Sequence, residues 1–315
     1  MKISVVVPLF NESQTLPELY SRISVAVCEI DNKIDKDYEI IFVNDCSQDN
    51  TLSLIKDLAE KDNHIRYLSF SRNFGHQIAV CAGVDIAKGT VIVIIDGDLQ
   101  DPPELIPQLY RKHLEGYNVV YAKRVLRNGE SYFKIATAKL FYRLLANMTS
   151  IPIPLDVGDF RLIDQKVLTQ LKKMDERQKF LRGQIAWIGF KQIAIHYERD
   201  CRKFGKTGYT LQKMFRFAMD GLTSFSDIPL KLATLLGLFT SFLSCFILFY
   251  ALFSKYVLHR VIDGWTSLII TIVFIGGVQL FCIGVMGEYI SRIYLDVRKR
   301  PLYIIDESNL TECIE

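Results

Sequence analysis

The run Ile94-Ile95-Asp96-Gly97-Asp98-Leu99-Gln100-Asp101-Pro102-Pro103 ends an apolar stretch in two aspartates spaced i, i+2, and then turns. Hard divalent cations such as Mg²⁺ take oxygen ligands and bind carboxylates and phosphates alike. Asp98 with Gln100 could seat such a cation, and Asp96 could meet the ribose or base of a nucleotide. Asp-x-Asp alone is common in solvated turns; its place at the end of a buried strand is what gives it chemical meaning. Two further apolar runs also end in acids: Val43-Asn44-Asp45-Cys46-Ser47-Gln48-Asp49 and Pro8-Leu9-Phe10-Asn11-Glu12. Asp45 and Glu12 could accept hydrogen bonds from a base or ribose, with Pro8 and Phe10 flanking a flat ring. Asp49 has an ordinary structural use as a helix cap. Arg202-Lys203-Phe204-Gly205-Lys206 can deliver several charge-assisted hydrogen bonds to phosphate, with glycine for flexibility, or can form a basic collar drawn to anionic lipid. His76 and His196 read as structural.

The elements that must position these residues alternate. Val- and Ile-rich strands are expected at Ile3–Leu9, Tyr38–Asn44, Ile65–Phe70, Val91–Asp96 and Asn118–Ala122. Their nearly continuous hydrophobicity suits strands covered on both faces. Helices are expected over Thr15–Ile30, with a capping box at Thr15-x-x-Glu18, and over Thr51–Lys61, Gln77–Ala87 and Glu104–Glu115. Alternation of this kind implies an α/β domain with a largely parallel sheet, whose ligands sit beyond the carboxyl ends of the strands.

Near residue 230 the pattern changes. Leu232–Ser254 and Gly264–Gly287 carry no charge and are flanked by Lys231, Lys255, Asp263 and Glu288. Each reaches roughly 34 Å as a helix, enough for a hydrocarbon core of about 30 Å. The short linker Lys255–Asp263 makes them a hairpin. Arg199–Lys231 holds seven Lys/Arg against three Asp, and Arg292, Arg298, Lys299 and Arg300 follow the second span, whereas the linker has only Lys255 and Arg260. By the positive-inside rule both termini are cytoplasmic. Phe133–Met148 and Tyr209–Leu222 have the mixed apolar and basic character of interfacial helices, or of helices packed on the domain. A formal charge of +3 gives no case for a nucleic-acid partner. Seven scattered cysteines without a CxxC pair argue against a metal cluster or disulfide framework. The apolar run at Met1–Pro8 is too short for a signal peptide.

Val5–Glu12, Val43–Thr51, Asp96–Pro103 and the paired C-terminal spans together resemble the family 2 inverting glycosyltransferases of GT-A fold. More narrowly, Ser71-Arg72-Asn73-Phe74-Gly75, Gly158-Asp159-Phe160-Arg161-Leu162, Leu222-Thr223-Ser224-Phe225-Ser226, Gly287-Glu288-Tyr289-Ile290-x-Arg292 and Lys299-Arg300-Pro301 are similar to the polyprenyl-phosphate glycosyltransferases. The bactoprenol glucosyltransferases of O-antigen modification are nearer in likeness and dolichol-phosphate mannose synthases more distant. The resemblance covers nearly the whole chain. It implies a Rossmann-like GT-A nucleotide-sugar-binding domain at 1–208, a juxtamembrane amphipathic segment at 209–230, two transmembrane helices within 231–290 and a cytoplasmic tail at 291–315, in the inner membrane.

The resemblance also implies roles. Pro8, Phe10, Glu12, Val43 and Asp45 would line the nucleoside pocket; Asp96 and Gly97 would touch the donor; Asp98 and Gln100 would bind Mg²⁺ or Mn²⁺. Arg124, Arg202 and Lys206 would contact phosphate, and Asp159 and Arg161 would lie beside the acceptor. The implied reaction is inverting transfer of one sugar, glucose by resemblance, from a UDP-sugar to undecaprenyl phosphate. Asp159 would orient the acceptor or take a residual proton. A Gln-x-x-Arg-Trp motif of processive synthases is lacking: the matching region reads Gln178-Lys179-Phe180-Leu181-Arg182. Two alternatives stay open, a glycan or protein acceptor and a non-catalytic nucleotide-sugar-binding membrane subunit. Gly276, Gly277 and Gly284 could pack helices together in a homo-oligomer.

Overall fold

A computed structural model describes residues 3–30, 37–124, 157–174, 176–177, 179–197, 228–256 and 264–310. Arg202, Lys206, Phe133–Met148, Tyr209–Leu222 and most of the linker lie outside these residues, as does the Leu222–Ser226 motif. The described chain divides into two units, the sheet domain with the segment from Arg300 onward, and the helical pair between them in sequence.

The sheet has eight strands: β1 (Ile3–Leu9), β2 (Tyr38–Asn44), β3 (Ile65–Phe70), β4 (Val91–Ile94), β5 (Val119–Arg124), β6 (Val157–Asp164), β7 (Gln192–Tyr197) and β8 (Ile305–Ser308). Their order is β7-β5-β6-β4-β1-β2-β3-β8. β4, β1, β2 and β3 run parallel, as the apolar runs predict. β6 enters antiparallel between β4 and β5, and β8 pairs antiparallel with the edge of β3, so the sheet is mixed. Every residue of β1, β2 and β6 is buried, because helices cover both faces. α1 (Leu16–Cys28), α2 (Thr51–Lys61) and α4 (Ile106–Leu114) contribute Leu19, Ile23, Ile55 and Leu109 to the core on one face. α3 (His76–Ile86), α5 (Gln165–Leu171) and α6 (Leu181–Ile188) supply Val80, Leu168 and Ile185 on the other.

The expected capping box of α1 does not form. The Thr15 hydroxyl donates instead to the carbonyl and carboxylate of Glu12, at 3.0 and 2.9 Å, which ties the helix start to the end of β1. At the start of α3 the chain passes through Gly75 at φ +102°, a conformation that favours glycine. Further along α3, a Cβ on Gly83 would sit 2.3 Å from Val6 Cγ1, so the helix lies directly on β1 there.

The second unit contains α7 (Ile228–Tyr256) and α8 (Trp265–Val297), whose apolar stretches are long enough to cross a membrane. Both are longer than the expected spans. Phe239, Phe242, Phe246, Leu280 and Ile290 are exposed on them, a greasy surface that calls for cover by something other than water. The Cys282 thiol reaches the Ala233 carbonyl between the two helices at 3.3 Å.

Candidate active site

β1 leads through α1 to β2 on one side, while the chain arrives at β4 through α3, on the opposite face. The crevice at the carboxyl ends of β1 and β4 is therefore the topological switch point of the parallel strands, where an open α/β sheet binds its ligand. The expected residues Pro8, Phe10, Glu12, Asp96, Gly97, Asp98 and Gln100 all fall there. The two turns touch closely: a Cβ on Gly97 would come within 2.5 Å of Leu9 Cδ2 and 3.1 Å of the Pro8 carbonyl oxygen. Pro8 and Val43 are buried neighbours in register, and Phe10 is 45% exposed. Three non-glycine residues, Asn11, Cys46 and Leu99, hold positive φ at the ends of β1, β2 and β4. Such backbone costs of order 1–3 kcal/mol and clusters at functional sites.

The loops after β1 and β2 are stitched together. Asn11 N donates to Ser47 Oγ (2.9 Å), Gln48 N to Asn11 Oδ1 (2.7 Å) and Ser13 N to Asp49 Oδ2 (3.1 Å). Asp49 also accepts from Thr51 N at 3.0 Å, the expected helix-start contact. Asp45 is 3% exposed, and its two oxygens accept from Phe74 N (2.7 Å) and Gly75 N (2.9 Å). Its carboxylate thus shapes the loop that delivers α3, an engagement the sequence did not disclose. Arg124 ends β5.

A denser cluster forms beside the Asp96 turn. β6 pairs with β4 so that Ile94 faces Arg161. Continuing that register puts Asp96 opposite Asp159, and alternation turns Asp96, Asp159 and Arg161 toward the face covered by α3 and α6. His76, the first residue of α3, places Nε2 3.0 Å from Asp159 Oδ2 and 3.4 Å from Asp96 Oδ1. Gln77 Nε2 donates to Asp159 Oδ2 at 2.9 Å, and Arg182, in the first turn of α6, donates Nε to Asp159 Oδ1 at 2.9 Å. Arg161, 4% exposed, lies 3.6 Å from the same oxygen and donates to the carbonyls of Gly158 (2.9 Å) and Asp159 (3.3 Å). It therefore braces Asp159 and does not present a solvent-facing cation. Among the described residues, Gln77 and Arg182 are participants that sequence reasoning missed, and His76, read from the sequence as structural, joins them. The Gly-His-Gln run after the Ser-Arg-Asn-Phe segment was the available signal.

Electrostatics follow from this packing. Burial opposes ionisation of Asp159, but Arg182, His76 and Arg161 overcome it and hold the carboxyl well below the usual range. His76 is 44% exposed; the carboxylates of Asp96 and Asp159 outweigh its partial desolvation and raise its pKa to about 9. Asp96 is pushed up to about 6, chiefly by desolvation, with His76 opposing. Burial lowers Arg161 to about 10.

Two groups invite a cation. Ligand atoms of His76, Asp96 and Asp159 lie within 4.8 Å of one another. Arg182 at 2.9 Å and Arg161 at 3.6 Å already fill the cation positions around Asp159, so a dication there would meet like charge. The turn after β4 offers a different donor set, the half-buried carboxylate of Asp98 and the amide oxygen of Gln100, with Gln100 N bound to Asp98 Oδ1 at 3.1 Å. Close by, Asp96 Oδ1 is buried, with His76 Nε2 3.4 Å away. A carboxylate and an amide oxygen are hard donors of the kind that Mg²⁺ or Mn²⁺ takes.

An open α/β sheet with an acidic turn at its switch point and an antiparallel strand carrying a second carboxylate beside it is a GT-A-like nucleotide-sugar transferase domain. The chain belongs to glycosyl transferase family 2, whose model matches residues 4–172. It is a glycosyltransferase, and residues 228–293 match the GtrB C-terminal hairpin, which together with the two long apolar helices associates it with a membrane. It is 46% identical to the glycosyltransferase YkcC of Bacillus subtilis over 98% of this chain and 94% of that protein. It is 42% identical to the glycosyltransferase sll0501 of Synechocystis over 98% and 95%. The bactoprenol glucosyl transferase of Shigella phage SfII is 40% identical over 98% of this chain and 99% of its own.

Proposed function

We propose that this protein transfers one glucose from UDP-glucose to undecaprenyl phosphate, with inversion, at the cytoplasmic face of the inner membrane. The observation that carries this reading is the pairing of an acidic turn at the switch point with a cation-ringed carboxylate on the adjacent strand, 40% identical over nearly full length to a bactoprenol glucosyl transferase. The domains are those the resemblance implies: a catalytic domain to residue 208, a juxtamembrane segment to 230, the hairpin to 290 and a cytoplasmic tail.

Pro8, Phe10, Glu12 and Val43 shape the nucleoside pocket, and Asp45 acts on it through the Phe74–Gly75 loop that it holds. Asp96 and Gly97 meet the donor, and Asp98 and Gln100 hold Mg²⁺ or Mn²⁺. A cation held there neutralises charge on the departing diphosphate. Arg124, Arg202 and Lys206 add charge-assisted contacts to the donor phosphates. Asp159, braced by Arg161 and Arg182, fixes the acceptor side. An oxygen of the acceptor phosphate attacks the anomeric carbon opposite the diphosphate, whose C–O bond breaks with its electron pair. The hairpin holds the domain at the bilayer, where the lipid phosphate lies, which limits the orientations the reactants must search.

The test uses detergent-purified protein, undecaprenyl phosphate, Mg²⁺ or Mn²⁺ and a panel of radiolabelled UDP-sugars, counting label in the organic phase. Transfer from UDP-glucose that chelator and Asp98→Asn abolish is the expected result. No transfer from any donor, by folded protein that binds UDP, refutes the lipid-phosphate reading.

A further inference from the structure

β1, β2, β3 and β4 bring their carboxyl ends to one edge of the sheet, so the loop that leaves β3 at Ser71 starts beside the loop that leaves β2 at Asp45. Asp45 grips it from one side, through Phe74 N and Gly75 N, and the Asn73 amide donates to the Asp45 carbonyl at 3.3 Å. The other grip comes from the far end of the chain. β8 pairs antiparallel with β3, and Ser71 N donates to the Ile304 carbonyl at 3.1 Å. The Tyr303 ring stacks on Phe70, the last residue of β3, with centroids 5.2 Å and planes 22° apart. Phe70 in turn meets Phe74 edge-on at 5.5 Å. The Tyr303 hydroxyl reaches the carboxylate of Asp85 near the end of α3. One tyrosine thus touches both the strand that enters the loop and the helix that follows it. Beyond β8, Leu310 is buried in the core and Asn309 bonds to β3, so the tail is anchored on either side of its short strand.

We infer that Tyr303 is a positioning residue for the nucleotide: the tail docked on β3 holds the Ser71–Gly75 loop in the shape that receives the nucleoside of a nucleoside diphosphate, and tail and nucleotide therefore bind the sheet domain cooperatively. The inference rests on the UDP-sugar reading and goes beyond it. Asp45 fixes only the second half of the loop. The first half carries Arg72, whose guanidinium lies over the Phe74 ring at 3.9 Å and so moves with it. Phe74 is seated by Phe70, and Phe70 by Tyr303. With the Tyr303 ring gone, that stack loses its outer member and the seat of Phe74 and Arg72 loosens. Coupling of this kind is reciprocal: the factor by which a docked tail favours the nucleotide is the factor by which bound nucleotide favours docking. A four-residue edge strand opens well below the global unfolding free energy, which makes its docking measurable.

The experiment uses the full chain in detergent with Mn²⁺ and UDP. Calorimetry gives Kd for wild type, Tyr303→Ala and Tyr303→Phe. The apparent Kd rises as the fraction of molecules with the loop in place falls, and loss of an aromatic pair should raise it about fivefold in Tyr303→Ala. Tyr303→Phe keeps the ring, and Asp85 is exposed, so water replaces the lost hydroxyl and Kd should stay within about twofold of wild type. A tail that served stability alone would lower Tm and leave the Kd of the folded protein unchanged. In wild type, saturating UDP should slow amide exchange over Ile305–Ser308 about fivefold or more, an arm that needs no variant to fold. Wild-type Kd in folded Tyr303→Ala, no recovery in Tyr303→Phe, or tail exchange indifferent to UDP would each overturn the inference. Failure of wild type to bind UDP at all would instead remove the reading beneath it.

Discussion

Asp159→Asn is the perturbation whose consequences the site specifies most fully. The side chain keeps its size, but an amide presents one acceptor and one donor where four donor groups converge. Whichever way it turns, its NH₂ meets either Arg182 and Arg161 or His76 and Gln77. At an effective dielectric near 20, the ion pairs at 2.9 and 3.6 Å have gross attractions of about 6 and 5 kcal/mol. Most of that offsets desolvation. The net cost of removing one partner of a buried charge network is about 3–5 kcal/mol, because Arg161 stays buried with its charge uncompensated. The apparent Tm in detergent should drop by roughly 6–20 °C, at about 2–4 °C per kcal/mol for a domain of this size. The pKa of Asp159 is depressed in the fold, so its contribution is present above the ordinary value of 3.8 and lost as pH falls through the folded value. The deficit of the variant should therefore hold its size between about pH 7 and 8, above the value of about 6 for Asp96 and below that of about 9 for His76. Differential scanning fluorimetry over that range is the assay. A Tm within about 2 °C of wild type would refute the charge-network account of the site.

Further outcomes follow from the same contacts. The pKa of His76 is raised to about 9, so its stabilisation is full below 6.5 and is lost as pH rises through 9. The Tm of wild type should sag across that window, and His76→Gln should flatten the slope, measured by the same scan. Gly83→Ala drives a methyl into Val6 of the central strand; overpacking of about 1–3 kcal/mol outweighs a helix-propensity gain of about 1 kcal/mol, so Tm should fall. Asn309 donates to the Ile65 carbonyl at 2.9 Å and accepts from Tyr67 N at 2.8 Å, ending the pairing of β8. Asn309→Ala should speed amide exchange along β3, read by hydrogen–deuterium mass spectrometry. Asp98→Asn should bind Mn²⁺ more weakly by calorimetry in the presence of UDP.

β1, β2 and β3 were legible to the residue because strands covered on both faces are written as unbroken Val/Ile runs between polar turns. The acidic strand ends were legible for the same reason: a carboxylate that follows such a run must emerge at one edge of the sheet. The two charge-free segments likewise follow from composition and length alone. β6 was not named as a strand, because Val157–Asp164 mixes Asp, Arg and Gly into a fully buried element. Asp159 is satisfied by His76 and Gln77 of α3 and Arg182 of α6, which the chain brings from elsewhere, and Asp164 by Asn118 and the start of α5. β8 was hidden similarly, since a four-residue polar strand becomes one only by pairing with an edge. The sequence by itself determined the α/β class, the switch-point acids and the apolar hairpin, since each depends on local pattern. Only the tertiary structure decided that Asp96 faces Asp159 and that His76, Gln77 and Arg182 close around them, because that arrangement depends on which strands become neighbours.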